Sequence, residues 1–322
     1  MQHPDYVKII KDAWKITWTN RYLWWFGLLA ALSCGGSSMN FQMPSDSSKS
    51  ENITRFIFEN LPWIIPATIA LIALVIILAI LGLIGRGALI KSIDLALEKN
   101  KIGFKEGFNE GKKFFWKLLF IGLIIGFSLV FSIIILSVPI VFLFINKAYA
   151  LGAFLAVFAV FILIALIILT SFLKTYGYIY AVLGKLSVWP ALENAYRLFC
   201  DNLWTSVIMG LFLIPVGIIL ALGIFAGLIP IAIVFLSIGF GLKLAFGKIG
   251  VIVAATLGGA TFIAFFLLLR SIYETFVQTI WIIFFKQIAS PKVKETAKEE
   301  EIEKNPEILP TTDTIKTIKN ER

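Results

Sequence analysis

Residues 60–85 read NLPWIIPATIALIALVIILAILGLIG and contain no Asp, Glu, Lys, Arg or His. A bilayer's hydrocarbon core is about 30 Å thick and needs about 20 apolar helical residues to cross it. On either side of this stretch, five further runs share its property: Tyr22–Ser45, Leu118–Asn146, Ala148–Leu173, Asn202–Leu242 and Ile249–Leu269. Helices of water-soluble domains keep a polar face toward solvent. Six uninterrupted runs therefore predict an all-α, polytopic membrane protein with six transmembrane helices. Two runs are irregular. Only Tyr22–Leu32 of the first is strongly apolar before a Cys-Gly-Gly-Ser-Ser segment, which suggests a tilted or partly interfacial entry. The fifth is too long for one straight crossing and contains Pro215 and Pro230. A kink there is expected, with 228–242 as a candidate re-entrant piece.

Composition agrees: 59% of the 322 residues are hydrophobic, mean hydropathy is +0.89, and soluble domains are about 45–50% apolar. The net charge is +9. Residues 291–322 hold seven Lys/Arg against eight Asp/Glu, which leaves 22 against 12 in the body. That tail, with Pro291, Pro306, Pro310 and an EEEIE block, reads as a disordered cytoplasmic extension over 290–322, leaving 1–289 as the membrane domain. The basic residues cluster before the first run and in the 86–117 and 174–201 connections. Positive loops face the cytoplasm, so both termini are expected inside. A basic body beside anionic headgroups is ordinary membrane electrostatics. Nucleic acid would need a solvated basic domain, and none is present. Cys34 and Cys200 fall on opposite expected sides and form no CxxC. LLAALSC (28–34) has Ala31 where a lipoprotein signal wants Leu, so an uncleaved first span is expected.

A shift of 88 residues lays Arg86 on Lys174, Gly107 on Ala195, Phe108 on Tyr196, Trp116 on Trp204 and Gly122 on Gly210. The N-terminus, with Ala13-Trp14 followed by Trp24, matches the front half of the same unit. Three repeat-like units follow, about 5–100, 101–189 and 190–289, each a cytoplasmic amphipathic helix and a helical hairpin. Each crosses an even number of times, so the copies are parallel, unlike the inverted repeats of many transporters. In 102–117, Phe104, Phe108 and Phe115 share a helix face flanked by Lys101, Lys105 and Lys112. In the N-terminal helix Tyr6, Ile9, Ile10 and Ala13 oppose Lys8, Lys11 and Lys15. Both are expected to lie in the cytoplasmic interface, anchoring the spans or meeting anionic lipid.

Intramembrane chemistry needs acids, bases or metal ligands at depth, where they are rare without purpose. None lies in the six runs, and no HExxH or Asp-rich metal motif occurs. His3 sits beside Pro4 near the terminus. Ser128, Ser132, Ser137, Ser171 and Ser237 have no base partner and are expected to bond helix backbone. Gly122-x3-Gly126 and Gly223-x3-Gly227 match a close-packing motif. No catalytic, metal or cofactor residue is assigned. Arg86, Lys174 and Arg270 hold equivalent places at the basic ends of the return helices. They are candidate contacts for a lipid headgroup, against plain snorkelling; Arg270 and Glu274 also have i, i+4 pairing distance.

The phrases KIGFKEGFNEGKKFFWKLLFIG (101–122), ALENAYRLFCDNLW (191–204), YETFVQTIWIIFFKQI (273–288) and DAWKITWTNRYLWWFGLLAAL (12–32) carry a resemblance. Over most of 5–288 the chain resembles the six-span membrane domain found ahead of some glycerophosphodiester phosphodiesterases, and its uncharacterised stand-alone bacterial relatives. In the fused enzymes catalysis belongs to a separate soluble barrel, and no residue here matches its catalytic set. The resemblance implies a membrane module of the bacterial inner membrane. The expected role is a non-catalytic scaffold or anchor engaging the bilayer, with anionic lipid at its cytoplasmic face, or a partner protein. The alternative is a transporter or lipid-translocating permease, which would need a polar path between spans.

Overall fold

The computed structural model describes residues 4–33, 60–98 and 103–289. The expectations for His3, Cys34, the Cys-Gly-Gly-Ser-Ser segment and the 290–322 tail lie outside these residues. The described chain is helical, with no strand among the described residues. The helices are α1 (Tyr6–Thr19), α2 (Leu23–Ser33), α3 (Leu61–Leu97), α4 (Phe104–Ile145), α5 (Tyr149–Leu183) and α6 (Val188–Asp201). The run Leu203–Ala289 follows and divides into α7 (Leu203–Leu244) and α8 (Phe246–Ala289).

Five helices, α3, α4, α5, α7 and α8, are long and apolar enough to cross a membrane. At 1.5 Å per residue they run from about 52 Å to about 66 Å, well beyond the hydrocarbon core. The surplus is used unevenly. In α3, the consecutive residues Leu74, Val75, Ile76 and Ile77 are all exposed, so every face of that stretch looks away from protein. Farther along, Gly82, Ile84, Gly85 and 87–90 are buried. An apolar helix exposed all round is stable only in an apolar solvent. α5 repeats the pattern, with its large apolar side chains mostly exposed from Tyr149 to Ile168 and burial over 176–182, and α8 does so with buried residues recurring from Ser271 onward. Arg86, Lys174 and Arg270 each stand where the exposed half gives way to the packed half.

The stretch expected to form the first crossing is described only as α2. Its 11 residues reach about 16 Å, too short to span alone. Residues 228–242 continue α7 and do not turn back; Pro215 and Pro230 lie inside the helix. A proline removes one backbone bond, and neighbouring structure re-satisfies the freed group in apolar surroundings. Residues 104–117 likewise run straight into α4. Their packed face is Gly107, Gly111 and Phe114. The expected phenylalanine face is partly used: Phe26 and Phe104 stack at 5.0 Å, and Lys112 lies 5.0 Å from the Phe108 ring centre. In α1 the expected face is the buried one, with Ile9 and Ala13 fully covered.

The chain forms two compact units. Among the described residues, one comprises Trp116–Gly210 with 4–9 and 280–289; the other comprises 10–33, 60–98, 103–115 and 211–279. In the first, α4 and α5 run antiparallel. Their turn closes with Ala148 N–H donating to the Leu143 carbonyl at 3.0 Å and Lys147 N–H to Phe144 at 3.1 Å. Lys147 there takes φ 60°, the left-handed helix end that glycine usually fills. The amphipathic α6 packs on α5 through Ala191, Leu192, Ala195, Leu198 and Phe199. In the second unit, α7 and α8 reverse at Gly247 (φ 60°, ψ −134°), a conformation open in practice to glycine alone. Packing of Gly239 on Ala254, Gly258 on Phe235 and Gly217 on Tyr273 makes them an antiparallel pair.

Candidate functional site

The cation at the packing boundary of α3 is not left to solvent. Arg86 Nη2 donates to Glu274 Oε1 of α8 at 3.2 Å, and both side chains are 14% exposed. Arg270 Nη2 lies 3.8 Å from Glu274 Oε2, with its guanidinium 5.2 Å from the Tyr273 ring centre. Two of the three cations singled out in the sequence therefore converge on one carboxylate. The i, i+4 spacing announced Arg270–Glu274; the closer contact joins residues 188 positions apart. The third cation, Lys174, belongs to the other compact unit, where its Nζ stands 5.9 Å from the Tyr178 ring centre. Near a low-dielectric slab a lone guanidinium is expensive, and a carboxylate in contact offsets that cost.

Directly after Arg270, α8 carries hydroxyls at a spacing of four: Ser271, Thr275 and Thr279, all at most 2% exposed. Ser271 Oγ donates to the Trp24 carbonyl. Thr275 Oγ1 lies within reach of the Leu23 carbonyl at 3.3 Å and the Ser271 carbonyl at 2.9 Å, and Thr279 donates to the Thr275 carbonyl at 2.7 Å. Gly27 lets α2 come this close: a methyl group there would stand 2.5 Å from the Ser271 carbonyl oxygen. Gly85 plays the same part between α3 and α2, 2.9 Å from the Ala30 nitrogen by the same measure, and Gly111 between α4 and α3, 2.8 Å from that of Ala88. Of the glycine pairs picked from the sequence, Gly122 is as close, 2.8 Å from the Tyr178 hydroxyl oxygen by the same measure. A side chain on Gly126 or Gly223 would meet nothing within 4 Å. Ser132, Ser137 and Ser237 bond the carbonyl four residues back, as expected.

The other unit uses polar groups similarly. Tyr176 and Ser206 hydroxyls bond at 2.8 Å in the buried core. Phe172, Tyr176 and Tyr180 of α5 pack edge-on against Trp281 and Phe285. Lys117 Nζ donates to the carbonyls of Lys185 and Leu186 at 2.7 and 2.9 Å, tying α4 to the turn between α5 and α6. Sequence reading missed Glu274 as the centre of the charge cluster, the hydroxyl row and Lys117. The first two were legible as Ser-x3-Thr-x3-Thr with Glu beside it; nothing local marks Lys117. Among the described residues no group of His, Cys, Asp and Glu is placed to hold a metal ion.

No protein-family model, curated protein or solved structure matches this chain.

Proposed function

We propose that this chain is a non-catalytic scaffold or anchor of the bacterial inner membrane. In this reading it crosses six times as three parallel hairpins, with both termini cytoplasmic, and it serves lipid or a protein partner. This is the role implied by its resemblance to the membrane domain of some glycerophosphodiester phosphodiesterases. One observation carries the reading: charged and hydroxyl groups of several helices are spent on contacts with neighbouring helices. Glu274 meets Arg86, Ser271 and Thr275 of α8 meet α2 backbone, Tyr176 meets Ser206, and Lys117 meets the α5–α6 turn. A headgroup role for Arg86, Lys174 and Arg270 sits beside this, because Arg270 remains 37% exposed. A permease would need a polar path, and the row of hydroxyls on α8 is closed against α2.

Reconstitution into vesicles carrying fluorescent phospholipid separates scaffold from permease. A scaffold leaves lipid exchange between leaflets at the rate of protein-free vesicles. Acceleration that disappears in an Arg86→Leu/Glu274→Leu variant would replace this reading with the permease.

A further inference from the structure

An open groove of about 770 Å³ runs between α7 and α8 near their turn. Its length follows from its lining, Ile231 to Lys243 on one helix and Val251 to Ile263 on the other. Twelve residues of helix rise about 18 Å, close to the depth of one leaflet's hydrocarbon, about 15 Å. Small residues make the groove: Gly239, Ala254, Gly258 and Gly259 keep the two helices from filling it, while Phe235 and Phe262 bound it. Lys243 is its only charged lining residue among the described residues. A second hollow of about 490 Å³ shares Lys243 and Val251 with the first, and adds Lys248 and the turn glycine Gly247. Both lysines are exposed. The result is an apolar trough, one leaflet deep, that opens at its end onto two cations.

We infer that this trough is a binding site for an anionic phospholipid of the leaflet that the α7–α8 turn reaches. One acyl chain lies along the trough, and the phosphate meets Lys243 and Lys248. Charge complementarity selects the occupant. Two lysines on so short a turn favour an anionic headgroup by roughly 1 kcal/mol each, or about thirtyfold together. A zwitterionic lipid gains much less. A second copy seated by twofold symmetry would bring four lysines together, and like charges oppose that. The site is separate from Arg86 and Arg270, which lie at the other end of the exposed halves.

The full chain, purified in mild detergent from membranes of known lipid composition, is analysed for retained lipid by mass spectrometry and for mass by light scattering. The expected result is about one anionic phospholipid per chain, enriched over bulk membrane. Enrichment falls by about thirtyfold in Lys243→Gln/Lys248→Gln. It falls likewise in Gly259→Phe, which fills the trough at a position where a side chain meets nothing within 4 Å. Gly241→Phe, equally open but outside the groove, leaves enrichment unchanged. The lysine variant alters only exposed side chains and keeps the test valid if Gly259→Phe fails to fold. Retained lipid that mirrors the membrane overturns the site, as does enrichment indifferent to both variants. A loss of self-association in Gly259→Phe, with retained lipid unaltered, would assign the groove to a second copy.

Discussion

Moving Glu274 and Arg86 to 14% exposure each costs several kcal/mol per ion, and their contact offsets that cost only while both are present. Arg270 is a weaker partner, 3.8 Å away and more exposed. Arg270→Gln is therefore expected to change unfolding free energy in detergent by under about 1 kcal/mol; a loss several times larger would make it an equal member of the cluster. Backbone conformation makes a second set of demands. Gly247→Ala is expected to cost about 1–3 kcal/mol through strain at the α7–α8 turn. Lys147→Gly should gain about 1 kcal/mol by relieving a left-handed lysine. Thermal unfolding of the purified variants reads both, and a neutral Gly247→Ala would mean that the turn relaxes freely. At this scale the sequence is partly transparent. Spacing of four exposes Arg270–Glu274, but no local rule links Arg86 to a residue 188 positions away.

Helices are where the sequence speaks most clearly, because a charge-free run of bilayer length leaves a helix no polar face to turn toward water. The runs after Tyr22–Ser45 each correspond to a long apolar helix. What the runs do not reveal is where a helix goes on beyond its charge-free part. Residues 104–117 looked like a separate surface helix because lysines interrupt them, yet no proline or turn breaks them from α4, and Gly107 and Gly111 give them a packing face. Prolines mislead in the opposite sense: Pro215 and Pro230 are accommodated inside α7. Glycine pairs were a partial guide: Gly122 is tight against Tyr178, but Gly27, Gly85 and Gly111 lie outside the pairs. Gly27→Val is expected to cost about 1–3 kcal/mol by overpacking α2 against α8. Gly126→Leu, facing open space, should stay within about 0.5 kcal/mol. Equal losses at the two positions, read as unfolding midpoints in detergent, would remove α2 from its assigned place.

Across the whole molecule, exposed apolar halves give way to packed ends in both compact units, at Arg86 and Arg270 in one and at Lys174 in the other. In the proposed topology, which follows the loop charges, the turns at Lys147 and Gly247 lie on one side of the membrane and α6 on the other. Cys200 on α6 is exposed and serves as a native probe once Cys34 is replaced. A membrane-impermeant thiol reagent added to intact cells is expected to spare Cys200. It should label Lys147→Cys and Lys248→Cys made in a background lacking both cysteines. Labelling of all three from one side would contradict six crossings with an even-numbered return.

Whether buried charge holds these helices together is decided by a double-mutant cycle on Arg86 and Glu274 in the full chain. Arg86→Leu and Glu274→Leu are each expected to lower unfolding free energy by up to about 3–5 kcal/mol, because each removes the other's close, part-buried counter-charge. The double variant should return close to the parent stability, a coupling of about 3 kcal/mol or more. Additive losses, with the double variant the least stable of the four proteins, would show that the two residues act independently and would contradict that role.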